Sequence, residues 1–307
     1  KNINFMAKHG RGLICLALSR NQIDRLKLPL MSRTNKSRMQ TAFTVSIEAK
    51  KGISTGISAY DRAKTIKVAI SKNSKKKDLV SPGHVFPLVA RAGGVLERAG
   101  HTEASVDISK LSKLNPSAVI CEVMNEDGRM ARLKDLQKFS AKHKIKIASI
   151  EDLIAYRLEN EKLISKLSTK SFNTRKKGKY EYIIYENKLN KSKNFVIKKG
   201  KFNSNKSIRV RVVSTKLNNS KLVFKNLKIK KSFQYLSKFS NFVLIIINNE
   251  KDDKNEKEKV ILRYYGIGAQ IIKDLRVKNM ILVTKTRKKI IGLEGFGLKI
   301  KKQEIIG

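Results

Sequence analysis

The chain has 307 residues, 40% of them hydrophobic, which is enough apolar material for the cores of about two domains. Its two cysteines, Cys15 and Cys121, form no Cys-x-x-Cys pair; this excludes a disulfide framework and an all-cysteine zinc site and suits a reducing cytoplasm. The formal charge of +43 comes mainly from lysines scattered among asparagine and isoleucine, a pattern that does not indicate a nucleic-acid partner. No apolar run approaches the ~18–20 residues that cross a membrane.

The first 157 residues alternate predicted strands and helices, which indicates an α/β (α+β layered) domain with a mixed sheet and surrounding helices. A helix running into a strand is predicted over "KNINFMAKHGRGLICLALS", and because the chain begins at Lys1 we expect a fragment that has lost its N-terminus. The pattern predicts a half-buried strand over "AFTVSIEA" and a strand covered on both faces over "SAVICEVM". It then predicts a helix over "RLKDLQKFSAKHK", a strand over "IKIASI" and a helix over "EDLIAYRLENEKLISKL".

The composition changes near residue 158. We predict a helix end and linker over 158–180, because "STKSFNTRKKGKY" is polar and basic, and a smaller α/β domain over 181–307. Strands are predicted over "YEYIIYE", "SIRVRVVS", "KLVFKNLKI" and "FVLIIIN". The segment "VILRYYGIGAQIIKDLRVKNMILVT" is interpreted as strand, glycine turn, helix and strand.

The segment "LERAGHT" combines groups that suit an anionic ligand and a metal. His101 can ligate a divalent cation, and Arg98 and Thr102 suit phosphate oxygens. Gly100 lets the backbone come close to a ligand. Taken alone, the same residues also fit a capped turn in which Thr102 and Glu103 start a helix.

Further polar residues join this segment as candidates. Asp61 and Arg62 follow a glycine turn, His84 follows a proline and a glycine, and Glu122 ends an apolar strand. Together these groups resemble an acid/base and metal set that acts on an anionic, polyhydroxy substrate. Spacing alone does not name the reaction.

The resemblance is carried by "HGRGLICLALS", "TAFTVSIEAKKGISTGISAYDRAKTI", "LVSPGHVFPLVARAGGVLERAGHTEASVDISKLSKLNPSAVICEVMNEDGRMARLKDLQKF" and "IASIEDLIAYR". Over roughly residues 4–157 the chain resembles 3,4-dihydroxy-2-butanone 4-phosphate synthase of riboflavin biosynthesis. The resemblance implies a lyase that converts D-ribulose 5-phosphate to L-3,4-dihydroxy-2-butanone 4-phosphate and formate. It also implies Mg²⁺ or Mn²⁺ as cofactor and a homodimer.

The resemblance carries roles onto individual residues. It implies His101 as metal ligand and His84 and Glu122 as catalytic residues. The implied substrate-binding residues are Arg98, Ala99, Gly100, His101, Thr102 and Glu122, and more weakly Asp61, Arg62 and Thr65. Cys15 is interpreted as a small buried hydrophobe. The family's other metal ligand lies in an acidic loop before the first residue here, so we expect this polypeptide alone to be inactive and the intact gene product to be active.

The end of the chain, "RYYGIGAQIIKDLRVKNMILVTKTRKKIIGLEGFGLKIKKQEII", resembles GTP cyclohydrolase II. The resemblance places Arg263, Thr284 and Lys289 at GTP contacts, but it also implies a zinc ion held by three cysteines, and no cysteine follows Cys121. Lys216 stands at a cysteine position and Ile261 at that of the general-base aspartate. We therefore expect no zinc and a degenerate domain. A bifunctional enzyme that keeps the hydrolase, and a basic nucleic-acid-binding protein, are the alternatives.

Overall fold

The computed structural model describes residues 1–32, 34–35, 41–174, 178–202, 206–217, 225–248, 257–286 and 296–306, with the side chains of 174 and 257–265 left aside. The chain divides into two compact units, Lys1–Leu153 and Ile154–Gly307. Each unit contains one sheet with helices, which confirms the predicted α/β class.

The first unit is built on a four-stranded sheet in the order β2-β3-β1-β4. Strand β1 lies at its centre, parallel to β3 and antiparallel to β4, and β2 is antiparallel to β3. The main core packs β1 against residues of α2 and α3. The elements are α1 (Asn2–Phe5), a π-helix (Met6–Gly10), β1 (Cys15–Leu18), α2 (Arg20–Leu26), β2 (Ile47–Ala49), α3 (Ala59–Ile70), β3 (Leu79–Val89), α4 (His101–Leu111), β4 (Ser117–Ile120) and α5 (Leu133–His143).

Several predictions for this unit are confirmed and three are corrected. The opening helix and strand and the helix α5 form as predicted. The strand expected over residues 42–49 is reduced to β2 and isolated bridges at Phe43 and Thr44. Strand β4 is half-buried rather than covered on both faces, because it is an edge strand paired only with β1. The strand expected over "IKIASI" does not form, and Ile145 and Ile147 are exposed there.

The second unit is built on a seven-stranded sheet in the order β11-β10-β8-β9-β7-β6-β5. Strands β5, β6, β7 and β9 are antiparallel neighbours, whereas β9, β8, β10 and β11 are parallel. Strand β9 is almost completely buried, and α7 contributes Ile229 and Leu236 to the core. The elements are α6 (Ile150–Asn160), which spans the division between the units, β5 (Ile164–Thr174), β6 (Gly178–Asn187), β7 (Lys193–Lys199), β8 (Ile208–Thr215), α7 (Leu227–Leu236), β9 (Phe242–Asn248), α8 (Lys257–Asp274), β10 (Asn279–Thr284) and β11 (Lys299–Ile305).

The segment expected to be a helix end and linker, 158–180, instead supplies the edge of this sheet. Helix α6 ends at Asn160, and β5 pairs with β6 from Ile164 to Thr174. The lysine, serine and threonine residues that suggested a linker suit an edge strand, where charged and polar side chains discourage pairing with other chains.

Two further expectations for the second unit are corrected. The described part of "KLVFKNLKI" starts α7, because the Asn226 side chain accepts hydrogen bonds from the backbone N–H groups of Lys228 and Ile229. The strand and glycine turn expected over "VILRYYGIGAQ" are replaced by the continuous helix α8. Its Gly266 serves close packing rather than a turn, since a Cβ there would lie 2.5 Å from the Leu158 side chain.

Candidate active site

A bulge in β3 positions His84. The β2–β3 register pairs Ile47 with Val85 but Glu48 with Val80, so residues 81–84 bulge out of the ladder; the peptide bond from Ser81 to Pro82 within the bulge is cis. The Ser81 hydroxyl donates to the Ser46 carbonyl at 2.7 Å, and the Gly83 N–H donates to the Ser46 hydroxyl at 3.1 Å. A Cβ at Gly83 would overlap the Ile47 backbone, so glycine is required for this close approach.

The bulge places the His84 ring against a carboxylate that the sequence pattern did not single out. Nδ1 of His84 contacts Oε1 of Glu48. The Glu48 side chain is 14% exposed and the His84 side chain 44% exposed, so the acid is enclosed while the imidazole opens to solvent. The alternation of "AFTVSIEA" places Glu48 among the polar positions of its strand, but only the irregular register brings it to His84.

Glu122 lies just beyond β4 and is held by the strand beside it. Because Cys15 pairs with Ile120 in antiparallel register, Leu13 lies level with Glu122. The Leu13 N–H donates to Oε2 of Glu122 at 2.9 Å. A Cβ at Gly12 would lie 2.6 Å from the same oxygen, so the glycine leaves room for the carboxylate. Glu122 is exposed, which leaves its other oxygen open.

His84 and Glu122 belong to the same edge of the sheet. Strand β3 is parallel to β1, with Phe86 opposite Cys15, and His84 lies two residues before this pair. The strand order places β1 between β3 and β4, and Glu122 lies two residues beyond the pair of Ile120 with Cys15, so His84 and Glu122 lie at the same end of the sheet. We call Glu48, His84 and Glu122 the acid–base edge.

The 98–102 loop forms a second group, ordered by a buried acid. Arg98 donates from Nη1 to Oε2 of Glu103 at 2.6 Å and from Nη2 to the Thr41 hydroxyl at 3.4 Å. The other Glu103 oxygen accepts from the Arg91 N–H at 3.1 Å. A Cβ at Gly100 would overlap the Arg98 guanidinium, so glycine allows the arginine to fold back over its own loop.

The loop leads directly into α4, whose first residue is His101. His101 is exposed, whereas Ala99, Gly100 and Thr102 are buried. The helix start that an isolated "GHT" suggests is therefore present, but Thr102 does not cap it: the N-cap is Gly100, and no side chain caps the helix.

The predicted site residues form two groups that lie apart within one chain. The 98–102 loop is tied to Thr41 and Arg91, beyond the end of β3 at Val89. The acid–base edge lies level with His84. Five residues of extended strand separate His84 from Val89, which is about 17 Å.

The α3 candidates have partners inside the chain. Asp61 is buried and accepts hydrogen bonds from the Ser54 hydroxyl at 2.8 Å and the Gly56 N–H at 3.0 Å; the first of these bonds is the main cause that lowers the pKa of its carboxyl group. The Thr65 hydroxyl accepts from the Ala49 N–H at 3.0 Å. These contacts tie α3 to β2 and to the turn before the helix, which gives both residues a structural role.

Arg62 and the two cysteines lie near the acid–base edge. The Arg62 Nε is buried and has no hydrogen-bond partner among the residues that the structure describes. Burial raises the pKa of the Cys15 thiol to about 12 and also raises that of Cys121. A thiol that stays protonated agrees with the interpretation of Cys15 as a small buried hydrophobe.

Metal ligands are few in the described ranges. These ranges contain no group of three or more His, Cys, Asp or Glu residues placed to hold a metal ion. The exposed imidazole of His101 fits as one ligand of a divalent cation whose remaining ligands are carboxylate oxygens and water, as Mg²⁺ prefers.

Across the described ranges, every helix is too short or too polar to cross a membrane.

The candidates from the second unit are scattered over its elements. Arg263 and Ile261 lie within α8, where a strand was expected, and Lys216 is exposed just after β8. Thr284 ends β10, and its buried hydroxyl has no hydrogen-bond partner in the described part of the chain. Lys289 lies outside the described residues.

Two family models match this chain, one over its first half and one near its end. The family model of 3,4-dihydroxy-2-butanone 4-phosphate synthase matches residues 1–156, and that of GTP cyclohydrolase II matches residues 247–304. The riboflavin biosynthesis protein RibBA of Aquifex aeolicus is 43% identical over 97% of this chain and 80% of its own length. The 3,4-dihydroxy-2-butanone 4-phosphate synthase of Photobacterium phosphoreum is 38% identical over 97% of this chain and 86% of its own.

A solved structure shares the two-unit architecture. RibBX, a two-domain 3,4-dihydroxy-2-butanone 4-phosphate synthase from A. baumannii, superimposes with a TM-score of 0.83 at 37% identity, covering 99% of this chain and 88% of that one. The chain belongs to the 3,4-dihydroxy-2-butanone 4-phosphate synthase family and ends in a segment similar to GTP cyclohydrolase II.

Proposed function

We propose that the protein converts D-ribulose 5-phosphate to L-3,4-dihydroxy-2-butanone 4-phosphate and formate. Family membership supports this reaction, and the observation that carries it is the acid–base edge. There a backbone N–H holds the carboxylate of Glu122 and the Glu48 carboxylate holds the imidazole of His84, yet both groups open to solvent. Two proton-transfer groups at one edge are what the reaction needs.

The reaction requires a base that removes a proton from C1 and an acid that assists the loss of the C3 hydroxyl. Glu122 binds the Leu13 N–H through Oε2, so Oε1 remains open to accept or return a proton. His84 supplies the second proton-transfer group. The C3 hydroxyl leaves as water, and C5 migrates from C4 to C3. Water then adds to the resulting C4 carbonyl and the C3–C4 bond breaks to release formate, so the two products together contain every atom of the substrate. A divalent cation, Mg²⁺ or Mn²⁺, supplies Lewis-acid polarisation of the C2 carbonyl when it is bound through His101.

The 98–102 loop is proposed to bind the phosphate and the cation. For the phosphate, Arg98 presents a guanidinium held in place by Glu103, and the start of α4 favours negative charge. For the cation, the exposed imidazole of His101 would supply a ligand. Asp61, Arg62 and Thr65 stay weaker candidates for substrate binding. Asp61 and Thr65 have hydrogen-bond partners inside the chain, whereas the buried Nε of Arg62 has none among the described residues.

The separation of the two groups supports a homodimer. About 17 Å of β3 lies between the 98–102 loop and the acid–base edge, which exceeds the length of a five-carbon sugar phosphate. One copy's 98–102 loop placed against the other copy's acid–base edge completes two equivalent sites, as a two-fold dimer requires.

The proposed reaction can be tested by identifying which carbon of ribulose 5-phosphate becomes formate. The full-length protein is incubated with ribulose 5-phosphate labelled with ¹³C at C4 and, separately, at C1, with Mg²⁺ or Mn²⁺ and with chelator. We expect labelled formate from the C4 substrate alone, and only when the cation is present. Formate labelled from C1, or no formate at all, would refute the proposed reaction.

For the C-terminal segment we propose that GTP cyclohydrolase activity is absent. The sequence holds no cysteine after Cys121, and an exposed lysine, Lys216, cannot replace a thiolate ligand at neutral pH. The segment is then structural, with a role in dimer stability or regulation. Stoichiometric zinc together with turnover of GTP would establish the bifunctional alternative. Salt-dependent retention on DNA or RNA would instead support the nucleic-acid-binding alternative.

A further inference from the structure

Glu48 is enclosed beside the imidazole of His84 in a way that sequence resemblance did not indicate. The irregular β2–β3 register sets Glu48 against the bulge that carries His84, and its Oε1 contacts Nδ1 of the ring. The Glu48 side chain is 14% exposed, in contrast to surface ion pairs of this unit such as that of Arg11 with Glu126, where the glutamate is 92% exposed. A solvated pair of that second kind contributes little to structure.

Two glycines make room for this contact from both sides. Gly56 has a φ of 89°, a conformation that L side chains rarely adopt, and a Cβ there would overlap the Glu48 carboxylate. Gly83 approaches the backbone of Ile47, and a Cβ there would lie 2.6 Å from Cγ of Glu48. The enclosure of Glu48 therefore depends on the turn before α3 as well as on the β3 bulge.

We infer that Glu48 is a positioning residue for His84, an inference that rests on the proposed synthase function. A carboxylate can only accept a hydrogen bond, so its contact with Nδ1 keeps the ring proton on that nitrogen. The lone pair then lies on Nε2, which becomes the proton-transfer atom directed toward substrate. The same contact fixes the ring orientation, as carboxylate partners of functional histidines do elsewhere.

The test compares Glu48→Ala with Glu48→Gln. The second variant keeps an amide oxygen that accepts from Nδ1–H, so it retains the tautomer while losing the charge. We expect Glu48→Ala to lower kcat by about 10–100-fold with a KM for ribulose 5-phosphate within about 3-fold of wild type, and Glu48→Gln to lose less. Glu186→Gln, in the second unit, is the matched control. The Glu186 side chain is 25% exposed and pairs with Lys191 of the same unit, so it is a partly enclosed carboxylate without a histidine partner.

Two measurements separate positioning from general damage. We expect the ¹⁵N chemical shifts of the His84 ring to show Nδ1 protonated in the wild type and in Glu48→Gln, and a loss of that preference in Glu48→Ala. In a His84→Ala background, we expect Glu48→Ala to cause no further loss of kcat. An unchanged tautomer in Glu48→Ala, or an equal loss of kcat with and without His84, would overturn the inference. The ¹⁵N measurement needs no turnover, so it remains decisive even if no formate is released.

Discussion

Glu122 and His84 in the first unit are each held by one partner, the Leu13 N–H and the Glu48 carboxylate, and remain open to solvent, whereas Arg209 and Arg211 in the second unit are enclosed by their own partners. Arg209 there donates twice to Glu304, at 2.9 and 3.0 Å, and Arg211 is buried with Nε donating to the Ser232 hydroxyl at 2.7 Å. A charge that is held but open to solvent can meet a substrate, whereas the pairing of Arg209 and Arg211 within the second unit indicates a structural role.

The glycines of the two units show the same contrast. Gly12, Gly83 and Gly100 stand where a Cβ would collide with a proposed catalytic or binding group or with the backbone that holds it. Gly266 in the second unit instead makes room for an apolar side chain, that of Leu158. Close backbone approach therefore serves the site in one unit and core packing in the other.

The largest effect is expected from Glu122→Gln. This substitution keeps the shape of the side chain but removes the proton-transfer group, so kcat for formate release falls by about 10²–10⁴-fold. Glu126→Gln is the control, because Glu126 lies four residues away, is exposed and pairs only with Arg11 among the described residues. Equal loss in both variants would remove Glu122 from the mechanism.

A smaller loss is expected from Gly12→Ala. The new Cβ would lie 2.6 Å from Oε2 and 2.7 Å from the backbone nitrogen of Glu122, so the carboxylate must move. Displacement of about 1 Å can cost about 10²-fold in rate. Gly268→Ala is the control, since an added Cβ there would make only an ordinary contact, 3.7 Å from the Val212 side chain. A kcat of Gly12→Ala equal to that of the control would contradict the role of Gly12.

In the second unit the expected effect is on stability. The Gln270 side chain accepts from the Leu163 N–H at 2.9 Å and donates to the carbonyls of Leu158 and Glu161 at 2.7 and 2.6 Å, all where α6 turns into β5. Gln270→Ala leaves these buried groups unpaired and lowers the free energy of unfolding by about 2–4 kcal/mol. Gln234→Ala, on α7, is the comparison in chemical denaturation. Equal midpoints for the two variants would show that Gln270 makes no net contribution.

The smallest effect is a pH dependence that involves His9. Its ring lies 4.7 Å from those of Phe5 and His143, and its pKa is lowered by burial first, then by the charges of His143, Lys8, Lys142 and Arg11. As the pH falls, His9 is therefore protonated at a higher pH in the unfolded chain than in the folded chain. The contribution of His9 to stability is therefore complete above about pH 6.5 and is lost as the pH falls below that value.

His9→Phe keeps the ring contacts without the proton. We expect the fall in Tm between about pH 7.5 and about pH 5.5 to be smaller in this variant than in the wild type. The same fall in both proteins would show that His9 does not contribute to the acid sensitivity of the fold.

The order of strand and helix around β1 and α5 could be predicted from the sequence, because short local segments determine it. The roles of His84, His101 and Glu122 come from the family resemblance and stay predictions. Glu48 could not be predicted, because its contact with His84 depends on a bulge that shifts the β2–β3 register. The distance between the 98–102 loop and the acid–base edge could not be predicted either, because it follows from the direction of β3 in the sheet.

The errors in the second unit have a different cause. The polar composition of residues 168–180 predicts a linker where β5 forms a sheet edge, since an edge strand and a linker both carry lysine, serine and threonine. The glycines of "YGIGAQ" indicated a turn where α8 is continuous, since close packing and turns both favour glycine. In both cases the tertiary neighbours decide between two structures with the same local pattern.

The most direct test of the account is to mix two inactive variants of the full-length protein, His84→Ala and His101→Ala, by co-expression and to measure formate release. If each site combines one copy's 98–102 loop with the other copy's acid–base edge, the mixture regains about a quarter of the wild-type rate, because half of randomly assorted dimers are mixed and each holds one intact site. A mixture no more active than either variant alone, although mixed dimers are present, would contradict a site shared between two copies.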